Sequence, residues 1–248
     1  MHAGNMRAAG CLDRGTLRSL GVFLALAALA TDTFAAESRR VPPAPARKPV
    51  VLLLPGIDGP ARYRAEAARL SQLGYHAVLL ESSVDPVSRY GEKHIRDEIA
   101  RAQRAPEAKS GKVAVIGFSM GGGEALAHAA PMADLVAAVI VYYPYIGFIG
   151  GDREMQSFAS RFAVPVLALS GEADRQGCCA PEAQRALESA ARSQEKQYEL
   201  VLYPGAQHGF NLTDWWDATA AADAQRRADE MLKRFLPLGA DVPARDAP

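Results

Sequence analysis

The feature that most restricts the fold of this chain is a series of short apolar runs that alternate with longer segments of helical periodicity. Six runs predict strands: PVVLLLPG, YHAVLLES, KVAVIGF, LVAAVIVYYP, VPVLALSGEAD and YELVLYPGAQHGF. Between them, apolar residues recur at helical spacing, most clearly over residues 89–104, 181–193 and 218–235. Nearly continuous apolar strands are typical of a sheet that is buried on both faces. The sequence therefore predicts an α/β fold with a mostly parallel sheet and helices on both faces.

The two ends of the chain lack this pattern. Arginines precede the uncharged run LGVFLALAALA, which is too short to span a bilayer comfortably, and small residues follow it. We therefore assign residues 1–36 to a secretory signal peptide and expect a secreted or periplasmic protein, with an uncleaved N-terminal anchor as the alternative. The proline-rich residues 37–49 predict a linker, residues 50–236 the folded domain and residues 237–248 a flexible tail.

Charge and motif spacing exclude several classes of partner. The 28 basic residues balance 28 acidic ones and form no basic cluster, which argues against nucleic acid and against membrane binding once the signal peptide is removed. The three cysteines have no zinc-site spacing. The segment GFSMGGG lacks the lysine of a phosphate-binding loop and the glycine spacing of a dinucleotide site. We predict neither a metal nor another cofactor.

A serine held between glycines follows the third predicted strand, in Gly117-Phe118-Ser119-Met120-Gly121. This G-x-S-x-G pattern suits a nucleophile that is raised on a sharp strand-to-helix turn, because glycines on either side keep neighbouring Cβ atoms away. The required strand precedes it and a small-residue helix follows. We predict that Ser119 is a nucleophile.

A serine nucleophile needs a base, and the base needs an orienting acid. His208 is the one histidine of five that lies in a loop after a predicted strand. Glu172 and Asp174 both follow the preceding strand, and we prefer Asp174 as the acid. Strand ends meet at one edge of a parallel sheet, so the three side chains are expected to converge there. The order serine, aspartate, histidine is that of the α/β-hydrolases.

An oxyanion hole for this nucleophile takes two backbone amides. One is expected from Met120, the residue after the serine. The other is expected from the loop after the first strand, LPGIDG, where we choose Ile57 and keep Asp58 as the alternative.

The residues that carry these predictions resemble the dienelactone hydrolase family of α/β-hydrolases over about residues 50–235. The resemblance lies in VVLLLPGIDGPARYRAEAARLSQLGYHAVLLES, GKVAVIGFSMGGGEAL, LSGEAD and LYPGAQHGF. It implies an α/β-hydrolase fold with a minimal cap, because residues 144–161 hold only a short helical insert. The founding members use a cysteine nucleophile and a glutamate in the first-strand loop; here those positions are Ser119 and Gly56.

These departures favour the serine branch of the family, which hydrolyses carboxylic esters or lactones of small substrates through an acyl-enzyme. A peptidase or acyltransferase of the same fold, or a non-catalytic binding protein, are the alternatives. An acyl pocket has six aromatic candidates, for which ordinary packing is the competing interpretation: Tyr142, Tyr143, Tyr145, Phe148, Trp215 and Trp216.

Two adjacent cysteines, Cys178 and Cys179, follow the predicted acid in the loop DRQGCCAPE. Two free thiols packed as small apolar residues are one interpretation. A disulfide between neighbours, formed after export into an oxidising compartment, is the other.

Overall fold

A six-stranded sheet forms the centre of the fold, with the strand order β2-β1-β3-β4-β5-β6. The computed structural model describes residues 46–239 of the chain. Every neighbouring pair of strands in this sheet is parallel, which confirms the predicted fold class. The strands are β1 (Val50–Leu54), β2 (His76–Leu79), β3 (Val113–Phe118), β4 (Val136–Tyr142), β5 (Val166–Gly171) and β6 (Tyr198–Tyr203).

Helices fill the connections between the strands. They are α1 (Arg64–Leu73), α2 (Gly91–Ala102), α3 (Met120–Glu124), α4 (Gly151–Ser160), α5 (Pro181–Ser193) and α6 (Ala218–Phe235). Two 3-10 turns, Pro60–Tyr63 and Thr213–Trp215, precede α1 and α6, and a π-helical turn, Ala125–Ala129, continues α3. The helix predicted over residues 89–104 is shorter at both ends. The connection from β4 to β5 contains only α4, which is the short insert expected of a minimal cap.

The core consists of one apolar layer on each face of the sheet. Val50, Leu52 and Leu54 of β1 belong to the layer beneath α2, the π-helical turn, α4 and α5. Val51 and Leu53 belong to the layer beneath α1 and α6. Successive side chains of a strand point to opposite faces, so a strand covered on both sides needs apolar residues at every position. This explains why the strands read as continuous apolar runs rather than as alternating ones.

The parallel arrangement brings the carboxyl ends of all six strands to one edge of the sheet. Ser119 follows β3 directly, Asp174 lies three residues beyond β5, and His208 lies in the loop after β6. The loops that follow β1, β2 and β4 leave the same edge. Residues that are far apart in the chain therefore come together where the strands end.

Candidate active site

The backbone of Ser119 lies outside the regions that side chains ordinarily allow, with φ 50° and ψ −113°. Such a conformation costs on the order of 1–3 kcal/mol and persists only when the surroundings hold it. Hydrogen bonds hold it on both sides. The Ser119 amide donates to the carbonyl of Tyr142 at 3.0 Å, and its own carbonyl accepts from the Gly123 and Tyr145 amides. The side chain is thereby raised between the end of β3 and the start of α3.

The glycines on either side of Ser119 allow this turn to be tight. A Cβ atom at Gly117 would lie 2.3 Å from the carbonyl oxygen of Gly121. A Cβ atom at Gly121 would lie 2.3 Å from the carbonyl oxygen of Leu54, at the end of β1. Both separations are too short for any side chain. The G-x-S-x-G spacing thus lets β3, α3 and β1 approach each other beneath the serine.

A chain of hydrogen bonds connects the three predicted side chains. His208 Nε2 lies 3.1 Å from Ser119 Oγ, and His208 Nδ1 lies 2.8 Å from Asp174 Oδ2. A carboxylate only accepts, so Nδ1 carries the proton and Nε2 is left to accept from the serine hydroxyl. The Asp174 side chain is fully buried, and its other oxygen accepts from the Gln176 amide at 2.9 Å. The arrangement is one in which a serine proton can pass to an oriented imidazole.

The alternative acid, Glu172, does not reach the histidine. Its side chain is 45% exposed and forms an ion pair with Arg185. Although Glu172 and Asp174 both follow β5, the turn after the strand directs only Asp174 toward His208.

The amides of Ile57, Asp58 and Met120 are available to an outside acceptor, because none of them donates to another group within residues 46–239. Met120 is the first residue of α3, and first-turn amides have no acceptor within their own helix. The predicted pair Ile57 and Met120 and the alternative Asp58 all remain compatible with this geometry.

Close packing explains why the first-strand loop has a glycine, Gly56, at the position where the founding relatives carry a glutamate. A Cβ atom there would lie 2.5 Å from the Tyr63 hydroxyl and 3.4 Å from Ser119 Cβ. Tyr63 is itself buried, and burial raises the pKa of its hydroxyl to about 12, so the group is neutral. Tyrosine takes up the space that a longer side chain at position 56 would need.

Glu124 is a buried carboxylate that sequence reasoning missed. It lies at the end of α3, where it accepts from the Val84 amide at 2.8 Å and pairs with His94 Nδ1 at 2.7 Å. The hydrogen bond to Glu124 raises the pKa of His94. The loop that Glu124 holds contacts the first-strand loop, because Ser83 Oγ donates to the Pro55 carbonyl. The sequence feature that could have identified Glu124 is that it is the single acid in the small-residue stretch GGGEALAHAA.

The six aromatic residues proposed as pocket lining have different surroundings. Tyr142 and Tyr143 are buried in the core, and Tyr145 and Phe148 are half-buried. Trp215 and Trp216 are exposed by 54% and 61%. A cavity of about 220 Å³ beside the ends of β3 and β4 is lined by Tyr63, Phe118, Tyr142, Asn211, Leu212 and Trp216, among others. A larger cavity of about 450 Å³ lies at the amino ends of β5 and β6, away from Ser119.

Exposed apolar side chains are concentrated at the edge of the sheet that carries Ser119. In the part of the chain that the structure describes, the large exposed ones are Ile57, Val87, Tyr90, Trp215 and Trp216. All five lie in the connections that follow β1, β2 and β6, and we call them the apolar rim. Arg62 joins two parts of this rim, since it pairs with Asp58 beside Ile57 and with Asp214 beside Trp215.

Cys178 and Cys179 are joined by a disulfide in the loop after Asp174. The carbonyl of Cys178 accepts from the amides of Ile146 and Gly147, so the loop packs against the segment that follows β4. The Cys179 amide donates to the Gln176 carbonyl, and the Gln176 amide donates to Asp174. The cysteine pair is therefore part of the loop that carries the acid.

A parallel sheet with a serine on a strained turn after β3 defines an α/β-hydrolase fold. The sequence matches the Dienelactone hydrolase family over residues 79–236. The chain belongs to this family.

Curated relatives are similar to part of the chain. It is 30% identical over 134 residues to the "Putative carboxymethylenebutenolidase" of Escherichia coli O157:H7, a match that covers 52% of this chain and 47% of that protein. The chain thus spans about half the length of the curated relatives it matches.

Solved structures show the same fold. The "Putative Dienelactone Hydrolase" of Klebsiella pneumoniae subsp. pneumoniae MGH 78578 superposes with a TM-score of 0.65 at 21% identity, covering 77% of this chain and 89% of that one. The esterase Est2 of Thermogutta terrifontis superposes with a TM-score of 0.58 at 20% identity, covering 79% and 85%.

Gly56→Ala tests the close packing of the first-strand loop. We expect it to lower the free energy of unfolding by about 1–3 kcal/mol, because its methyl group would have to displace the rigid, buried Tyr63 hydroxyl. Gly177→Ala is the matched control, because a Cβ atom there meets nothing within 4 Å. Urea unfolding of both variants measures the difference, and equal stabilities would contradict the packing argument.

Proposed function

We propose that this protein is a serine hydrolase that cleaves carboxylic esters or lactones of small substrates through an acyl-enzyme. The observation that carries the proposal is the hydrogen-bonded chain from Ser119 Oγ through His208 to the buried carboxylate of Asp174. Membership of the Dienelactone hydrolase family supports it. So does the name of the Escherichia coli relative, a carboxymethylenebutenolidase, and the description of a structural neighbour as an esterase.

In the first half of the proposed reaction, Ser119 Oγ attacks the carbonyl carbon of the ester while His208 Nε2 accepts the hydroxyl proton. Asp174 stabilises the imidazolium that forms and keeps its ring oriented. The carbonyl oxygen becomes an oxyanion, which accepts hydrogen bonds from the Ile57 and Met120 amides. The tetrahedral intermediate then expels the alcohol, which takes the proton from His208. The acyl group remains on Ser119 as an ester.

In the second half, a water molecule takes the place of the alcohol. His208 accepts a proton from the water, the resulting hydroxide attacks the acyl carbonyl, and the same two amides stabilise the second oxyanion. Collapse of this intermediate returns the proton from His208 to Ser119 Oγ and releases the carboxylic acid. In a lactone the alcohol and the acid belong to one molecule, so one ring-opened product leaves.

The short insert between β4 and β5 and the exposed apolar side chains at the Ser119 edge support small substrates with an apolar part. The apolar rim supplies uncharged contacts at the same edge. Hydrolysis of p-nitrophenyl esters of graded chain length measures this preference, and we expect short to medium acyl chains to be cleaved fastest.

Ser119→Ala tests the nucleophile. We expect it to abolish both ester hydrolysis and labelling by a fluorophosphonate probe, because no other hydroxyl between residues 46 and 239 is hydrogen-bonded to His208 Nε2. Ser71→Ala is a matched control on the surface of α1 and is expected to leave both signals intact. Circular dichroism verifies that each variant is folded. Unchanged turnover in Ser119→Ala would exclude the proposed mechanism.

Asp174→Asn and Glu172→Gln test which acid orients the base. We expect Asp174→Asn to lower kcat by about 10³- to 10⁴-fold, because the amide cannot hold the required histidine tautomer, while Glu172→Gln changes kcat little. The double variant Asp174→Asn/His208→Ala should lose hardly more than His208→Ala alone, because the groups act as a unit. A damaging Glu172→Gln together with a harmless Asp174→Asn would reverse the assignment.

We also propose that the protein is exported by a signal peptide over residues 1–36, which lie outside the described residues. The proposal rests on the arginines and the short apolar run of the sequence. Between residues 46 and 239, no helix is long and apolar enough to cross a membrane.

N-terminal sequencing of the protein from its native host tests the export proposal. We expect the mature chain to begin near Thr31 or Ala36, because small residues there fit a cleavage site. A chain that still begins at Met1 would favour the uncleaved anchor.

A further inference from the structure

Tyr143 is a buried tyrosine that the proposed reaction does not use, although it contacts the histidine. It follows β4 directly, and its ring centroid lies 4.6 Å from that of His208. Its backbone is strained, with φ 37°. Its amide donates to the Leu169 carbonyl of β5 at 2.8 Å, which anchors the strained residue to the sheet. A bulky residue held in such a conformation beside a functional group calls for an explanation.

The hydroxyl of Tyr143 connects the sheet to the loop that carries His208. It donates to Asn211 Oδ1 at 2.8 Å, and Asn211 lies three residues beyond the histidine. Burial raises the pKa of the Tyr143 hydroxyl well above its usual value, so its proton is always present to be donated. The donor comes from the rigid end of β4 and the acceptor from the loop after β6. The bond therefore fixes the loop relative to the strand ends.

Backbone hydrogen bonds attach this loop on either side of the histidine: the Ala206 carbonyl accepts from the Ala173 amide, and the Phe210 carbonyl accepts from the Asp217 amide. Within the described part of the chain, His208 makes side-chain hydrogen bonds only to Ser119 and Asp174. The loop backbone is closed locally by the Leu212 amide, which donates to the Gly209 carbonyl. Gly209 itself has φ +74°, a conformation that suits glycine. Tyr143 supplies both a ring against the imidazole and a hydrogen bond just beyond it.

We propose that Tyr143 and Asn211 are positioning residues, which hold His208 Nε2 at hydrogen-bonding distance from Ser119 Oγ. This inference rests on the proposed serine-hydrolase function. Neither residue forms a hydrogen bond with Ser119 or His208 within the described residues, and both act by positioning the histidine. A displacement of about 1 Å in a reacting group can cost on the order of 100-fold in rate, so a bond that fixes the loop affects turnover more than substrate binding.

Tyr143→Phe tests the hydrogen bond without removing the ring that packs against His208. We expect kcat for a p-nitrophenyl ester to fall about 10-fold with KM changed less than twofold, because the base is misplaced but the substrate surface is intact. The second-order rate of fluorophosphonate labelling should fall by a similar factor, since labelling also needs His208 to activate Ser119. Asn211→Leu breaks the same bond from the loop and is expected to give the same losses.

Tyr198→Phe is the matched control. Tyr198 is also a tyrosine with a buried hydroxyl, but that hydroxyl has no partner within the described residues and lies at the amino end of β6. We expect this variant to keep the wild-type kcat and labelling rate. If Tyr143→Phe fails to fold, Asn211→Leu carries the test alone, because Asn211 lies in a half-buried loop.

The double variant Tyr143→Phe/Asn211→Leu separates a shared bond from two independent effects. Because both single variants break the same Tyr143–Asn211 bond, we expect the double variant to lose no more than the larger single loss in kcat. A loss equal to the product of the two single losses, or an unchanged kcat in a folded Tyr143→Phe, would overturn the inference. If the wild type hydrolyses esters and Tyr143→Phe has the same kcat, only this inference is excluded. If the wild type hydrolyses no ester, the proposed function and the inference are excluded together.

Discussion

The strained backbone of Ser119 is the constraint on which the rest of the site depends. A residue with positive φ is costly on its own, so the sheet has to hold it. Hydrogen bonds from the segment after β4 and from α3 do so, and the missing side chains of Gly117 and Gly121 let the neighbouring backbones approach. The same turn begins α3 at Met120, whose amide has no acceptor within the described residues. One local distortion thereby raises the hydroxyl and places the start of α3 directly after it.

The other parts of the site come from connections that meet this turn from different directions. The loop after β1 brings Ile57 and the space at Gly56, and the loop after β6 brings His208. Contacts outside the reacting groups hold both loops. Glu124 binds the loop after β2, which in turn contacts the loop after β1, and the Tyr143 ring packs against His208 in the loop after β6. These supports are buried, and the acceptor or donor they satisfy would otherwise be unpaired. The geometry of the site thus depends on polar groups in the core.

The sequence allowed the fold class to be predicted because apolar continuity in the strands is a local signal. The helix bounds of α5 and α6 matched the predicted residues, whereas the helix after β2 began later than expected, after the loop that contains Pro86. The positions of Ser119, Asp174 and His208 at strand ends followed from the same pattern. The choice between Asp174 and Glu172 needed the structure, because both residues follow β5 and only the turn decides which side chain points to His208.

By itself, the sequence determined that this chain forms a parallel α/β sheet, that it carries a nucleophile motif at the end of a strand, and that it belongs among the α/β-hydrolases. Each of these features depends on a short stretch of sequence, in which the periodicity and the spacing of residues have local physical causes. Only the tertiary structure decided that Tyr143 bonds to Asn211, that Glu124 supports a loop 40 residues away, and that Tyr63 fills the space at Gly56. Such contacts join segments that are distant in the chain. They form because folding buries the two groups together, which no local sequence pattern indicates.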